Sequence, residues 1–275
     1  MRTLIALCLF IFAAAPALAE SAYDRVMRTG EIRCGYALQE PLLMKDPNTG
    51  ALSGVFYDYL EALGKALSLK VVWAEEVGWG DFPAALNSGR IDAMCSGIWP
   101  TAGRARVVDF TAPVYFNAIN AYTGAGTTRF DGNLSAINDP GVTIATMDGE
   151  MSSIIAAADF PRARTLAVPQ VASLPQILVN VARGKADVTF TDTATAAGFM
   201  AHNPGALRMV EGGAGVRVFG NTIAIARGAH DLKAMLDTAS GELHQSGVIE
   251  RILQKHETYP GSLLRVAKPY ETPAP

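Results

Sequence analysis

Short apolar runs and amphipathic stretches alternate along this chain from Glu31 to His256, and the alternation confines it to a layered α/β fold with mainly parallel sheets. "EIRCGYAL" reads as a strand. In "LSGVFYDYLEALGKALSL", Phe56, Tyr59, Leu60, Leu63 and Leu67 share one face at helical spacing. "KVVWAEE", rich in β-branched and aromatic residues, is a second strand. A short helix over "DFPAALNSG" has Gly89 placed as its C-terminal cap, and "IDAMCSGI" is a third strand.

A second series begins near "AINAYTGAG". It runs through a strand at "GVTIATMDGE", a helix from about Met151, another over Leu174 to Ala182, and the strand "ADVTFTD". "RVFGNTIAIARG" is a further strand, and "HDLKAMLDTASGELHQSGVIERILQKH" reads as two amphipathic helices before a proline-rich tail. The two series echo each other. "LNSGRIDAMCSG" and "NVARGKADVTFTD" share a helix end, a glycine, a basic residue, an apolar residue, an aspartate and a strand. Two lobes of similar βα construction would produce such an echo.

The formal net charge of −3 leaves no basic excess, which argues against nucleic acid or an anionic membrane surface as partner. At the N-terminus, Arg2, an apolar run and the small-residue end Ala17-Leu18-Ala19 read as a secretory signal, residues 1–19, cleaved after Ala19. Pro16 and Glu20 interrupt the run too early for a spanning helix, so an exported, soluble protein is expected. Cys8 lies within the run, not just beyond it, which speaks against a lipid anchor. That leaves Cys34 and Cys95, both in strand-like runs. An oxidising compartment permits a bridge, but a pair of buried thiols is the preferred expectation. His202, His230, His244 and His256 show no metal-ligand spacing and read as surface or packing residues. No metal or other cofactor is expected.

Five segments in order, "LSGVFYDYLEALGKAL", "FPAALNSGRIDAMCSG", Thr101 and Arg104 with "VDFTAPVY", "GKADVTFTD" and "SGVIERILQKH", resemble the family-three periplasmic solute-binding proteins, the amino-acid-type receptors of ABC importers. The resemblance implies an α/β, two-lobed periplasmic binding protein fold of type II, each lobe a sheet flanked by helices, with two crossing segments. Lobe one would be residues 20–117 plus 222–275, and lobe two residues 118–221. Crossings are expected near Phe116–Ala121 and Phe219–Ile223.

The same resemblance suggests a ligand site. Arg104 matches the arginine that grips a ligand carboxylate through paired, charge-assisted hydrogen bonds. An arginine in a first helical turn opposes the helix dipole, a placement that makes sense if it faces an anion. The alternative is a surface arginine beside Thr101 as an ordinary cap. Asp192, ending "ADVTFTD", matches the lobe-two carboxylate that holds an ammonium, and it is also a good cap for the next helix. Trp79 falls where an aromatic ring stacks on the ligand, and Ser96 and Gly97 are expected to line the cleft with main-chain groups. Trp99 departs from the family pattern, standing where serine or threonine usually helps bind the carboxylate. Gln39 or Glu40 would replace the acidic residue usual in the first loop. Asp148, in "TMDGEMSS", is either a cap or a charge opposing a carboxylate. These departures put a standard α-amino acid in question and leave a small charged metabolite.

The function expected is a monomeric periplasmic receptor feeding the membrane subunits of an ABC importer, without turnover. One alternative is an enzyme resembling the cyclohexadienyl dehydratases. It would need an acid to protonate a leaving hydroxyl, from among Glu40, Asp148, Glu150 and Asp192. A second alternative is an input module that reports ligand to a membrane partner.

Overall fold

The computed structural model describes residues 20–212 and 215–266. The expected signal segment lies outside them. Lobe one opens with α1 (Ala22–Thr29) and β1 (Glu31–Tyr36), then a small hairpin, β2 (Met44–Lys45) and β3 (Leu52–Ser53). It continues with α2 (Val55–Leu67), β4 (Lys70–Glu76), α3 (Phe82–Asn87), β5 (Ala93–Ile98) and β6 (Val108–Phe110). The long β7 (Tyr115–Gly124) leads into β8 (Thr143–Met147), α4 (Met151–Asp159), β9 (Arg164–Val168), α5 (Pro175–Ala182), β10 (Val188–Asp192), α6 (Thr193–His202) and β11 (Leu207–Met209). The equally long β12 (Arg217–Ala226) returns the chain, and α7 (His230–Gln245) and α8 (Val248–His256) pack on lobe one.

The strands follow the order β4-β1-β5-β12-β7-β10-β8-β9. Parallel pairing is confined to β1 with β4 and β5, and to β8 with β9 and β10. The expectation of mainly parallel sheets is therefore corrected: β7 and β12 pair antiparallel with each other and with their neighbours. The physical reason is connectivity, because both strands are crossings between lobes and not the returns of a helical βαβ unit. β12 changes partner between Asn221, opposite Tyr115 of β7, and Thr222, opposite Ile98 of β5.

The echo in the sequence corresponds to a structural equivalence. After α3, Gly89 at φ 69° lets the Arg90 N–H return to Ala85 O. After α5, Gly184 at φ 67° does the same for Lys185 and Asn180 O. Asp92 then bonds the β1 backbone in both directions, its N–H to Arg33 O at 2.8 Å and its Oδ2 from Arg33 N at 2.7 Å. Asp187 repeats both bonds with Thr143 at 2.8 and 2.7 Å. The parallel registers that follow also correspond: Cys34 with Ala93 and Gly35 with Met94, against Ile144 with Val188 and Ala145 with Thr189.

One core lies between the lobe-one sheet and α2, α7 and α8, with Phe56, Tyr59, Leu60 and Leu63 fully inside it, on the face expected from their spacing. Another lies under α4. A third contains residues of both lobes, Phe82 and Ala85 of α3 together with Ile177 and Leu178 of α5.

Cys34 and Cys95 are bonded to each other, which corrects the preference for buried thiols. Adjacent parallel strands bring their Cα atoms to 5.5 Å, within bridging range. The bridge closes a loop of 61 residues. Restricting that loop in the unfolded chain contributes about 4 kcal/mol on a chain-entropy model. A Cys34→Ala, Cys95→Ala variant is expected to unfold at markedly lower urea concentration, with a slope equal to or steeper than that of wild type because its unfolded chain is less restricted; an unchanged midpoint would refute the contribution.

Candidate functional site

Strand ends and the loops after them meet where the lobes face each other. The 3₁₀ turn Arg104–Arg106 begins with the Arg104 N–H donating to Thr101 Oγ1 at 3.2 Å. A three-residue turn has almost no aligned dipole, so the expected conflict between Arg104 and a helix dipole does not arise. Desolvation is the larger cost: burial pushes the guanidinium pKa down, and the nearby Glu150 opposes that shift. Two of its five N–H donors are spent on carbonyls, Nη1 on Trp99 O at 3.1 Å and Nη2 on Gly149 O of the opposite lobe at 2.9 Å. The guanidinium also lies 5.4 Å from the Phe82 ring centroid.

Beside Arg104 is a cavity of about 10 Å³, room for about one water molecule. Lobe one contributes Gln39, Trp79, Gly97, Trp99 and Arg104 to its wall, and lobe two contributes Glu150 and Met151. Outside it, a larger groove of about 660 Å³ shares Trp79, Arg104 and Met151 and runs over Pro100, Ile154 and Phe219. Trp99 is tied to the crossing strands. Its Nε1–H donates to Asn221 Oδ1 at 2.9 Å, and its ring stacks on Phe219 at 5.6 Å and 9°. Asn221 in turn donates to Asn117 Oδ1 of β7 at 2.7 Å.

Glu150 is the N-cap of α4 and is buried. Its Oε2 accepts from the Ser152 N–H at 2.7 Å and the Ser152 hydroxyl at 2.6 Å. Asp192, the N-cap of α6, is buried at the end of β10. Its Oδ1 accepts from the Thr195 N–H at 3.0 Å. Its Oδ2 accepts from the Thr195 hydroxyl at 2.6 Å and, across the cleft, from Gln39 Nε2 at 2.9 Å.

Of the residues singled out in the sequence, the cavity brings together Arg104, Trp79, Gly97 and Trp99. Asp192 stands behind the wall with both oxygens engaged. Ser96 is buried, its hydroxyl accepting from the Ala37 N–H at 2.8 Å, and it supports the first loop without lining the cavity. Glu40 and Asp148 are exposed and lie outside it. Of the alternatives Gln39 and Glu40, Gln39 is the one on the cavity wall, and Glu150 lies two residues beyond Asp148. The sequence marks Glu150 only as a possible acid and Met151 only as a helix start. The one local signal for Glu150 was a carboxylate at the start of a helix. Among the described residues, no cluster of side chains is suited to holding a metal ion.

A model of the bacterial extracellular solute-binding proteins, family 3, matches residues 32–258. The chain belongs to this family. A probable histidine-binding protein of Campylobacter jejuni is 30% identical over 158 residues, 56% of this chain and 57% of that relative, so the match spans little more than half of it. A cyclohexadienyl dehydratase of Pseudomonas aeruginosa is 27% identical over 186 residues, 67% of this chain and 68% of the enzyme. The fold is that of an ancestral amino acid-binding protein described as a precursor of cyclohexadienyl dehydratase. The two share a TM-score of 0.73 and 23% identity, with 86% of this chain and 99% of that one covered. This solute-binding-protein fold is thus shared by proteins named for binding and by one named for catalysis.

The lobes of this family member touch directly. Gln170 Oε1 accepts from the Gly80 N–H at 2.9 Å, and its Nε2 donates to Asp81 Oδ2 at 2.5 Å. A Cβ on Gly149 would lie 2.8 Å from Gly80 Cα, a distance that side-chain adjustment cannot relieve. Gly149→Ala, besides a local cost of about 1–2 kcal/mol at its φ of 72°, is expected to hold the lobes apart. Small-angle scattering should then give a larger radius of gyration at unchanged helix content; identical scattering would rule out this role for the glycine contact.

Burial pushes the carboxyls of Glu150 and Asp192 above their ordinary values of 4.5 and 3.8. For Glu150 the Ser152 donors and the Arg104 charge oppose the shift, and for Asp192 the Thr195 and Gln39 donors do. Tyr115 and Tyr122 lie close enough to feel the Asp192 charge. The folded state holds these two protons more tightly than the unfolded chain. The associated stability is complete below the ordinary values and is lost as pH rises through the raised ones. Measured against a Glu150→Gln, Asp192→Asn variant, the wild-type melting temperature is expected to fall as pH is raised above about 4.5. A difference independent of pH would contradict the raised values.

Proposed function

We propose that the protein is an exported, monomeric receptor. It captures a small charged metabolite, an amino acid or related carboxylate, in the cleft and delivers it unchanged to the membrane subunits of an ABC importer. The observation that carries this reading is Arg104: a guanidinium on the wall of an interlobe cavity, flanked by tryptophans, with two donors on carbonyls of opposite lobes. A carboxylate displacing those carbonyls would find a planar donor pair already oriented. Ligand bound between the lobes has more contacts when they are together, which is the differential affinity needed to shift an open–closed equilibrium. The change of β12 partner at Asn221 and Thr222 supports lobe boundaries at 117/118 and 221/222, with lobe two as residues 118–221. The expected signal over residues 1–19 supports a periplasmic location.

A second reading, a dehydratase-like enzyme, is favoured by one observation. Glu150 is a carboxyl biased by burial toward its protonated form on the cavity wall. Recovery of a bound compound chemically unchanged after prolonged incubation supports the receptor; its conversion supports the enzyme.

Arg104→Ala is expected to weaken binding of an acidic or zwitterionic compound by more than tenfold, since truncating one partner of a buried charge pair costs about 2–5 kcal/mol. Arg104→Lys should also bind poorly, because an ammonium cannot reproduce a planar two-point grip. Calorimetry showing wild-type affinity in the alanine variant would remove Arg104 from the site.

A further inference from the structure

Two buried carboxylates stand at the cleft, and they are not equivalent. Thr195 and Gln39 engage both oxygens of Asp192, which lies outside the cavity wall. Glu150 forms part of that wall, and the hydrogen bonds to its carboxylate come from the first turn of its own helix, led by Ser152, with none crossing from lobe one as Gln39 does to Asp192. Glutamate is also not among the side chains favoured at an N-cap, so capping α4 is a weak reason for burying one there. Arg104 lies on the same wall but donates to Trp99 O and Gly149 O. A buried carboxylate held only by neutral donors of its own helix turn is costly unless a cationic donor meets it.

We propose that Glu150, not Asp192, receives the cationic head of the ligand, and that the ligand is a zwitterion whose ammonium is adjacent to its carboxylate. This rests on the receptor reading above. The carboxylate binds Arg104 and the ammonium binds the Glu150 carboxylate. The same glutamate acts against the wrong ligand. A carboxylate without a neighbouring ammonium would sit on Arg104 while facing a like charge in a nearly dry site, so simple acids are rejected by repulsion as well as by a missing contact. Asp192 serves closure instead, holding Gln39 across the cleft.

The test is isothermal titration of the common L-amino acids, singly, and of the desamino acid of each that binds. Wild type is compared with Glu150→Gln and Asp192→Asn. Glutamine keeps the length and an acceptor for Ser152, and circular dichroism with thermal melting confirms that each variant is folded. The proposal expects wild type to prefer an amino acid over its desamino acid by at least tenfold, and Glu150→Gln to collapse that ratio by weakening the former and strengthening the latter. Asp192→Asn should weaken both by a similar factor and keep the ratio. An unchanged ratio in Glu150→Gln, or a ratio lost in Asp192→Asn instead, overturns the Glu150 assignment and leaves the receptor reading intact. Wild type binding desamino acids but no amino acid also overturns it alone. Binding of neither class to wild type overturns both.

Discussion

The ladder between β7 and β12, from Tyr115 opposite Asn221 to Ile119 opposite Arg217, is the one link in the strand order between the sheets of the two lobes. Elsewhere in the strand order, each ladder stays within the sheet of one lobe, and the other links between lobes are side-chain contacts across the cleft. Each lobe has a core of its own on its far side, and a third core, with Phe82 and Ala85 against Ile177 and Leu178, joins the two. Trp99 connects that joint to the cavity, because its indole is on the cavity wall, hydrogen-bonded to Asn221 and stacked on Phe219 of β12. A change in the cavity and a change at the crossing strands thus share one rigid side chain.

Desolvation governs the cleft chemistry. Arg104, Glu150 and Asp192 are each shifted toward the neutral form by burial before any partner is counted. Unpaired, any of them would cost several kcal/mol. The protein limits that cost by giving each a partial set of partners, with Gly149 O, Trp99 O, Ser152, Thr195 and Gln39 supplying them. Contacts between lobes are drawn from the same stock: Gln39 with Asp192 and Arg104 with Gly149 both cross the cleft. Partnering of buried charge and contact between the lobes thus use the same groups.

The two lobes reuse one βα arrangement and stabilise it differently. Where lobe one has Cys34 and Cys95 on β1 and β5, the corresponding positions on β8 and β10 are Ile144 and Phe190, both buried. A covalent cross-link in one lobe corresponds to apolar packing in the other. Asp92 is held by Arg25 and Arg33 in lobe one, whereas Asp187 has only Arg129 at 3.9 Å. The backbone role of the aspartate is common to both, and the charge network around it is not.

Periodicity and turn chemistry are local properties, so the alternation of strands and helices, the buried face of α2 and the echo at Gly89 and Gly184 were all legible in the sequence. Arg104 stands out in the sequence through the family resemblance alone, since the dipole argument for it does not hold at a three-residue 3₁₀ turn. Phase within a loop was not legible. Whether Gln39 or Glu40, and whether Asp148 or Glu150, turns inward depends on backbone angles set by packing against the other lobe. No residue within helical or strand reach carries that information. The Cys34–Cys95 bond belongs to the same class, since it depends on β1 and β5 becoming neighbours across 61 residues of chain. The sequence by itself determined the main alternation of strands and helices, its repetition and the presence of a cation just beyond β5. Tertiary structure decided which carboxylate faces that cation, because two lobes separated in sequence must approach before a cavity wall exists.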